Sequence, residues 1–441
     1  MWVKRVVFAL TLLAIGGAVA LLLVRLARPS ARLNDLNQDL QSIVSDLVRG
    51  DSSIKNCMLA VTKGDGSLAW TGAAGIARQE GHVPMTVDTP IFIASVTKLY
   101  TATAIMLLYE KGALSLDDPI GKYLPQDLIR GINRYKGKDY SGEITIAQLL
   151  SHRSGIADYY TEKGRDGKTV GEWLRQDPGR SWTVDETIAR ARDRLKPHFP
   201  PGTETSYSDT NYQLLGKIIE AVTRKALYTV YEDFLFRPLG LQHTWLIGSP
   251  KAQLRAGDNP AEVFHANVDI TQSRSNRIYW ADGGMVSTAQ DMITFLKALN
   301  EGRLVRPESL KLMHHWRRWE FPIQYGYGTM YFELPSLIRT TIGFPPVWGH
   351  SGSTGSFLYY SKDLDLYIAG TIDQTESMWK PFVLMLRVVR AVTSRKSCIG
   401  SCARAAQTQG TPAYDEGADV IIGSAPIAAR VSELARGLTA E

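Results

Sequence analysis

Between Val96 and Lys111 the chain sets Val96, Leu99, Ala102, Ile105, Met106, Leu107 and Leu108 nearly all the way round a helix, which stops at Gly112. A surface helix carries one apolar stripe, whereas a helix that is apolar on every side has to be enclosed. Glycine is the usual terminator because it takes the left-handed closing turn at no steric cost. Whatever this chain folds into must wrap other layers around that helix. With 441 residues, 44% of them hydrophobic, it has the material for two or three folding units. A disordered chain, a coiled coil and a disulfide-stapled miniprotein are excluded.

The flanking patterns supply those layers. Leu33, Leu36, Leu40, Ile43, Val44 and Leu47 form one stripe of an amphipathic helix over 33–49. Residues 56–62 and 67–74 read as two strands joined by Lys63-Gly64-Asp65-Gly66. Strand-like runs return at 326–333, 346–349, 355–361 and 365–372, and Pro381 opens an apolar helix through Val392. Between them, 115–206 mixes short helical patterns with breakers such as Pro200-Pro201-Gly202, and Leu214, Leu215, Ile218, Ile219 and Val222 mark a further helix. Strands near both ends and helices between them predict an α+β fold: a sheet completed by distant segments, with a helical domain inserted. The expected division is 33–119 with 278–392 for the sheet-containing lobe and 120–277 for an all-helical lobe. Residues 393–441, with ten alanines and one aromatic, Tyr414, read as a loosely ordered tail with a short helix near 427–436.

From Val6 to Val24 the only polar side chain is Thr11. Nineteen helical residues span roughly 28 Å, enough for a bilayer core. Residues 1–28 therefore read as a membrane anchor. The alternative is a cleaved signal at Ala18-Val19-Ala20, although four more apolar residues follow it. Lys4 and Arg5 precede the span while Arg25, Arg28 and Arg32 follow it, so charge does not fix the orientation. These five cations hold most of the formal charge of +6. The rest of the chain is close to neutral, which excludes a nucleic-acid footprint. Cys57 stands alone, Cys398 and Cys402 match neither a zinc framework nor a redox pair, and no H-x-H or H-E-x-x-H occurs. No metal and no cofactor are expected.

Three short motifs carry chemistry. Ser95-Val96-Thr97-Lys98 opens the enclosed helix after the apolar run Ile91-Phe92-Ile93-Ala94, which puts an alcohol and an amine one turn apart on one face. The amine is a base only when neutral, so its pKa must fall by roughly three units from about 10.4. Desolvation has to supply most of that shift. The same spacing recurs at Ser52–Lys55 and Ser377–Lys380, but only the Ser95 copy opens a buried helix. The second motif is Tyr207-Ser208-Asp209, ahead of Thr210-Asn211-Tyr212; Y-x-D recurs at Tyr231–Asp233, so alone it says little, and its bland reading is a core tyrosine with a helix-capping aspartate. The third is Gly349-His350-Ser351-Gly352-Ser353, where small residues leave backbone N–H groups able to bind an oxyanion.

Taken in this order the motifs resemble those of serine hydrolases that include class C β-lactamases, low-molecular-weight D-alanyl-D-alanine carboxypeptidases and related esterases, with S-x-x-K, then Y-x-N, then K-[ST]-G or H-x-G. Thr86-Val87-Asp88-Thr89-Pro90, Leu149-Leu150-Ser151-His152-Arg153-Ser154-Gly155 and Gly283-Gly284-Met285-Val286-Ser287-Thr288 look like scaffold pieces of the same family, and the likeness covers about 50–392. It implies an antiparallel sheet flanked by terminal helices beside a helical domain, a catalytic domain outside the cytoplasm, and a peptide or small-molecule substrate. It also implies an acyl-enzyme on Ser95, proton transfers shared by Lys98 and Tyr207, and His350 orienting substrate and tuning the tyrosine. Asp209, Gly352 and Ser353 fall at substrate-binding positions, with the N–H groups of Ser95 and Ser353 as oxyanion hole. Two departures stand out. Asp209 replaces the usual asparagine, and a carboxylate there raises the lysine's pKa. His350 replaces a permanent cation that would attract a substrate carboxylate. Both disfavour efficient β-lactam hydrolysis and leave peptidase or esterase action open. G-x-S-x-G is absent, which excludes the α/β-hydrolase class. The non-enzymatic alternative is a binding or sensor module with the same cleft. His152 reads as structural, and His314-His315-Trp316-Arg317-Arg318-Trp319 as a solvated helix face, with a lining of the cleft as the alternative.

Overall fold

The computed structural model describes residues 36–407 except 178, 181, 251–258, 275–277 and 377–378, with side chains as far as Ser394. The apolar stretch Val6–Val24 and the helix expected near 427–436 lie outside the described residues. Among the described residues no helix is long and apolar enough to cross a membrane.

The chain enters through α1 (Leu36–Gly50) and forms strands β1 (Asn56–Lys63), β2 (Ala69–Arg78) and β3 (Val83–Pro84). The enclosed helix is α2 (Thr97–Glu110), followed much later by α3 (Asp209–Thr223) and α4 (Ala289–Asn300). Strands β4 (Arg317–Arg318), β5 (Ile323–Tyr325), β6 (Met330–Phe332), β7 (Val347–Ser351), β8 (Phe357–Ser361) and β9 (Leu366–Thr371) precede the closing helix α5 (Lys380–Gln407). The sheet runs β4-β5-β6-β7-β8-β9-β1-β2-β3, antiparallel throughout, with Val61 opposite Ile368 where the two ends of the chain meet.

Alternation in the central strands sends side chains into two cores. Met58 and Ala60 of β1, Leu358 of β8 and Ala369 of β9 face the layer holding Leu99 and Ile105 of α2 and Phe295 of α4. Leu59 and Val61, Phe357 and Tyr359, and Leu366 and Ile368 face Leu40 and Val44 of α1 and Leu384, Met385 and Val388 of α5. A sheet covered on both faces needs nearly continuous apolar strands, as these are. Eleven of the fourteen residues of α2 are buried, so the enclosure expected of that helix is met.

Two expectations need correction. The middle segment is not all-helical. After Ile146–Leu150, Val170–Gln176, Val184–Arg194 and α3, the two-residue strand Trp245–Leu246 pairs with Met285–Ser287, which also pairs with Ile91–Phe92. Ala261 N–H donates to Pro90 O (2.8 Å) and Phe264 N–H to Asp373 O (2.8 Å), so the chain is back against the sheet-containing lobe well before 278. Two-residue bridges leave no period-2 pattern to read. Nor does helix end at 393: α5 continues to Gln407, through a proline-free stretch that takes in Gly400.

Candidate active site

Ser95 lies in the tight turn Ala94–Val96 that leads into α2, preceded by Ala94 at φ 44°, a left-handed conformation an L side chain adopts at a cost. The strand end after β7 holds this turn in place. Thr354 Oγ1 donates to Phe92 O and Ser356 Oγ to Ile93 O, each at 2.7 Å. A Cβ on Gly352 would fall 2.5 Å from Ile93 O, so only glycine lets the H-x-G segment press against the turn that carries Ser95.

Lys98 follows one helical turn on and is wholly buried. Its Nζ donates to Ser95 Oγ (3.0 Å) and to the Asp282 carbonyl (2.6 Å), and ion-pairs with Asp209 Oδ1 at 2.5 Å. It also sits 5.0 Å from the centre of the Tyr207 ring. Alcohol, amine and phenol therefore lie together around the lysine. Of the other S-x-x-K copies, Lys55 Nζ merely donates to Ser52 O on an exposed turn, and Ser377 lies outside the described residues. In the second Y-x-D, the Tyr231 hydroxyl bonds Thr101 in the core and Asp233 pairs with Lys225 at the surface.

The charge state of Lys98 departs from what a neutral base needs. Burial pushes its ammonium toward losing the proton, but the Asp209 carboxylate, with Tyr207 and Asp282, outweighs burial and leaves the pKa above the ordinary value. The Tyr207 phenol is pushed up by burial and held back by Lys98, with a net rise. Asp209 is the first residue of α3 but does not cap it; its N–H donates to Asp158 Oδ1 (3.3 Å) while its carboxylate goes to Lys98. Burial and then the Asp209 charge push Asp158 up to about 7 and Asp282 up to about 6.

His350 is buried with both ring nitrogens engaged. Nδ1 lies 2.7 Å from Ser351 O, which only accepts, so Nδ1 carries the proton and Nε2 accepts from the Tyr325 hydroxyl at 2.9 Å. Burial and then the Lys98 charge push its pKa down to about 3, so the ring is neutral. No ring nitrogen of His350 is left over, and its reach to Tyr207 runs through Tyr325, whose ring meets Tyr207 edge-on at 5.8 Å.

Two aromatic neighbours flank Tyr207. His152 lies against Tyr207 at 4.2 Å between ring centres, its Nδ1 accepting from Ser208 N–H and Asn211 Nδ2 at 3.1 Å each. Trp319 stacks on the other side of Tyr207 at 5.1 Å and 24°. The His314–Trp319 run is therefore no solvated helix face: it enters edge strand β4 and ends against the tyrosine. Nothing in the Tyr207 motif itself points to Trp319, which arrives from over a hundred residues away.

A sheet backed by a buried helix, with lysine rather than histidine beside the serine that opens it, is the arrangement of one class of serine hydrolase. The chain belongs to the Beta-lactamase family, which it matches over residues 44–383. It is 28% identical over 338 residues to "Penicillin-binding protein 4" of Amycolatopsis lactamdurans, covering 72% of this chain and 79% of that protein. It is 28% identical over 319 residues to a putative D-alanyl-D-alanine carboxypeptidase of Escherichia coli K12, covering 65% and 70%. Among solved structures, the D-amino acid amidase from Ochrobactrum anthropi SV3 complexed with L-phenylalanine amide superposes with a TM-score of 0.66 at 26% identity, over 82% of this chain and all of that one.

Proposed function

We propose that the protein is an exported serine hydrolase, tethered by Val6–Val24, that cleaves amide or ester bonds at the carbonyl of D-amino acid derivatives, D-alanyl peptides among them, through an acyl-enzyme on Ser95. The observation that carries this reading is the contact of Lys98 Nζ with Ser95 Oγ at 3.0 Å beneath the Tyr207 ring. In the proposed reaction Ser95 Oγ bonds to the substrate carbonyl carbon. Its proton passes to a deprotonated Lys98 or Tyr207 and on to the leaving amine or alcohol as the scissile bond breaks. The oxyanion is received by the N–H groups of Ser95 and Ser353, each such donor contributing about 3–4 kcal/mol to lowering the barrier. Water then releases the acid by the reverse path. The names of the relatives, an amidase and carboxypeptidases, support D-configured substrates.

A second reading, a binding module without turnover, draws support from the Lys98–Asp209 ion pair, which holds the base protonated. Labelling separates the two. Incubation with a fluorophosphonate and with a fluorescent penicillin, followed by peptide mapping, is expected to place an adduct on Ser95, and Lys98→Ala is expected to abolish it. A folded protein that takes neither label sinks the hydrolase reading, and unchanged labelling in Lys98→Ala removes the lysine from the mechanism.

A further inference from the structure

Asp209 has an unusual setting. Its Oδ1 is buried against Lys98, yet the side chain keeps 14% of its surface open, so the open part is not the oxygen that holds the lysine. Ser95 and Tyr207 are likewise only half-buried, whereas Lys98, which contacts all three, is closed off. His350, close enough to feel the Lys98 charge, is buried, neutral and hydrogen-bonded on both sides. The site thus offers a partly open carboxylate at Asp209 and no positive charge at His350, which favours a positively charged substrate over a carboxylate-bearing one.

We propose that Asp209 is the specificity-determining residue of this cleft: its carboxylate receives the α-ammonium of an amino-acid amide or ester and, in doing so, loosens its hold on Lys98. The inference rests on the hydrolase reading above and adds the substrate's charged group to it. The second half follows from Coulomb's law. The negative charge of Asp209 is the main influence holding the Lys98 proton on against burial. A substrate ammonium at that carboxylate offsets the charge, and desolvation then drives Lys98 toward the neutral amine that takes the Ser95 proton. The displaced proton passes to solvent. The cleft would stay in a resting ion pair until a substrate of the right charge enters it. The groups around Lys98 that shape this balance are Asp282, Tyr207 and Asp209, with Tyr212, Asp158, His152 and His350 close enough to feel its charge.

The test compares D-alanine p-nitroanilide with its N-acetyl counterpart, on the full-length protein and on Asp209→Asn. The parent is expected to favour the free ammonium in kcat/KM by about tenfold or more, the worth of a charge-assisted hydrogen bond. In Asp209→Asn that preference should vanish while kcat on the N-acetyl substrate rises, because the lysine is no longer clamped. A parent without the preference, or a variant that loses both activities by the same factor, overturns the proposal. A readout independent of turnover uses Ser95→Ala, on which calorimetry should find D-alaninamide bound about tenfold or more tighter than N-acetyl-D-alaninamide, and the double variant with Asp209→Asn should lose that difference. Equal binding of the two ligands overturns the ammonium anchor even if Ser95 takes a fluorophosphonate. Absence of the label with the binding difference intact would instead remove the hydrolase reading and leave the anchor standing.

Discussion

At the scale of single residues, the cleft is governed by which groups are allowed charge. Buried His350 stays neutral, with a pKa near 3 against the ordinary 6.5. The unfolded chain takes up that proton first, so the stability His350 permits is full above pH 6.5 and is lost as pH falls toward 3. Asp158 and Asp282, raised to about 7 and 6, run the other way, because the folded state binds their protons more tightly. Replacing the histidine isolates its share. His350→Gln should be less stable than the parent at pH 7.5, and the gap should narrow by about 1.4 kcal/mol per pH unit between 6 and 4. Denaturant melts at three pH values read this directly; a constant gap would mean the ring is not the neutral group its hydrogen bonds require. Ser95 and Lys98 were legible as a pair because a three-residue spacing puts them one turn apart, and Tyr207 and Asp209 through the order in which their motif follows. Trp319, Tyr325 and the aspartates 158 and 282 were not, since only tertiary folding brings them to the lysine. The preference of Asp209 for Lys98 over its own helix end was legible as a risk to the base, because an unpaired ammonium in that core would cost more than a lost cap.

Among elements, the decisive contact is between the end of β7 and the turn that carries the nucleophile. Gly352→Ala would set a methyl 2.2 Å from Ser356 Oγ and 2.5 Å from Ile93 O, and the carbonyl cannot swing aside as a side chain can. The expected outcome is a loss of about 1–3 kcal/mol in stability together with a larger loss of Ser95 labelling, as the oxyanion donors move apart. Gly142→Ala, at a position with nothing within 4 Å, supplies the control and should leave labelling unchanged. A folded Gly352→Ala protein with parental labelling would break the proposed link between this strand end and catalysis. Long periodic elements were readable in the sequence: α1, the β1–β2 pair, α2, α3 and the last three strands all fall within a few residues of expectation. The three-stranded patch built from Ile91–Phe92, Trp245–Leu246 and Met285–Ser287 was not, because strands this short have no period.

For the whole molecule, the proposed tether and the folded body make separate predictions. The full chain should remain in the membrane pellet after an alkaline wash, and a chain lacking residues 1–32 should move to the supernatant with Ser95 still reactive. Release of the full chain by the wash would end the anchor reading and favour signal cleavage. The two-faced sheet also bears on when activity can begin. Its centre joins β1 to β9, with Met58 opposite Thr371, so the middle of the sheet waits on residues made more than three hundred positions later. A polypeptide threaded across a membrane from its N-terminus would carry the serine, the lysine and the tyrosine through as loose chain. The hydrolase would acquire a working cleft only after nearly all of it had arrived, which keeps the side of synthesis free of its chemistry without any inhibitor.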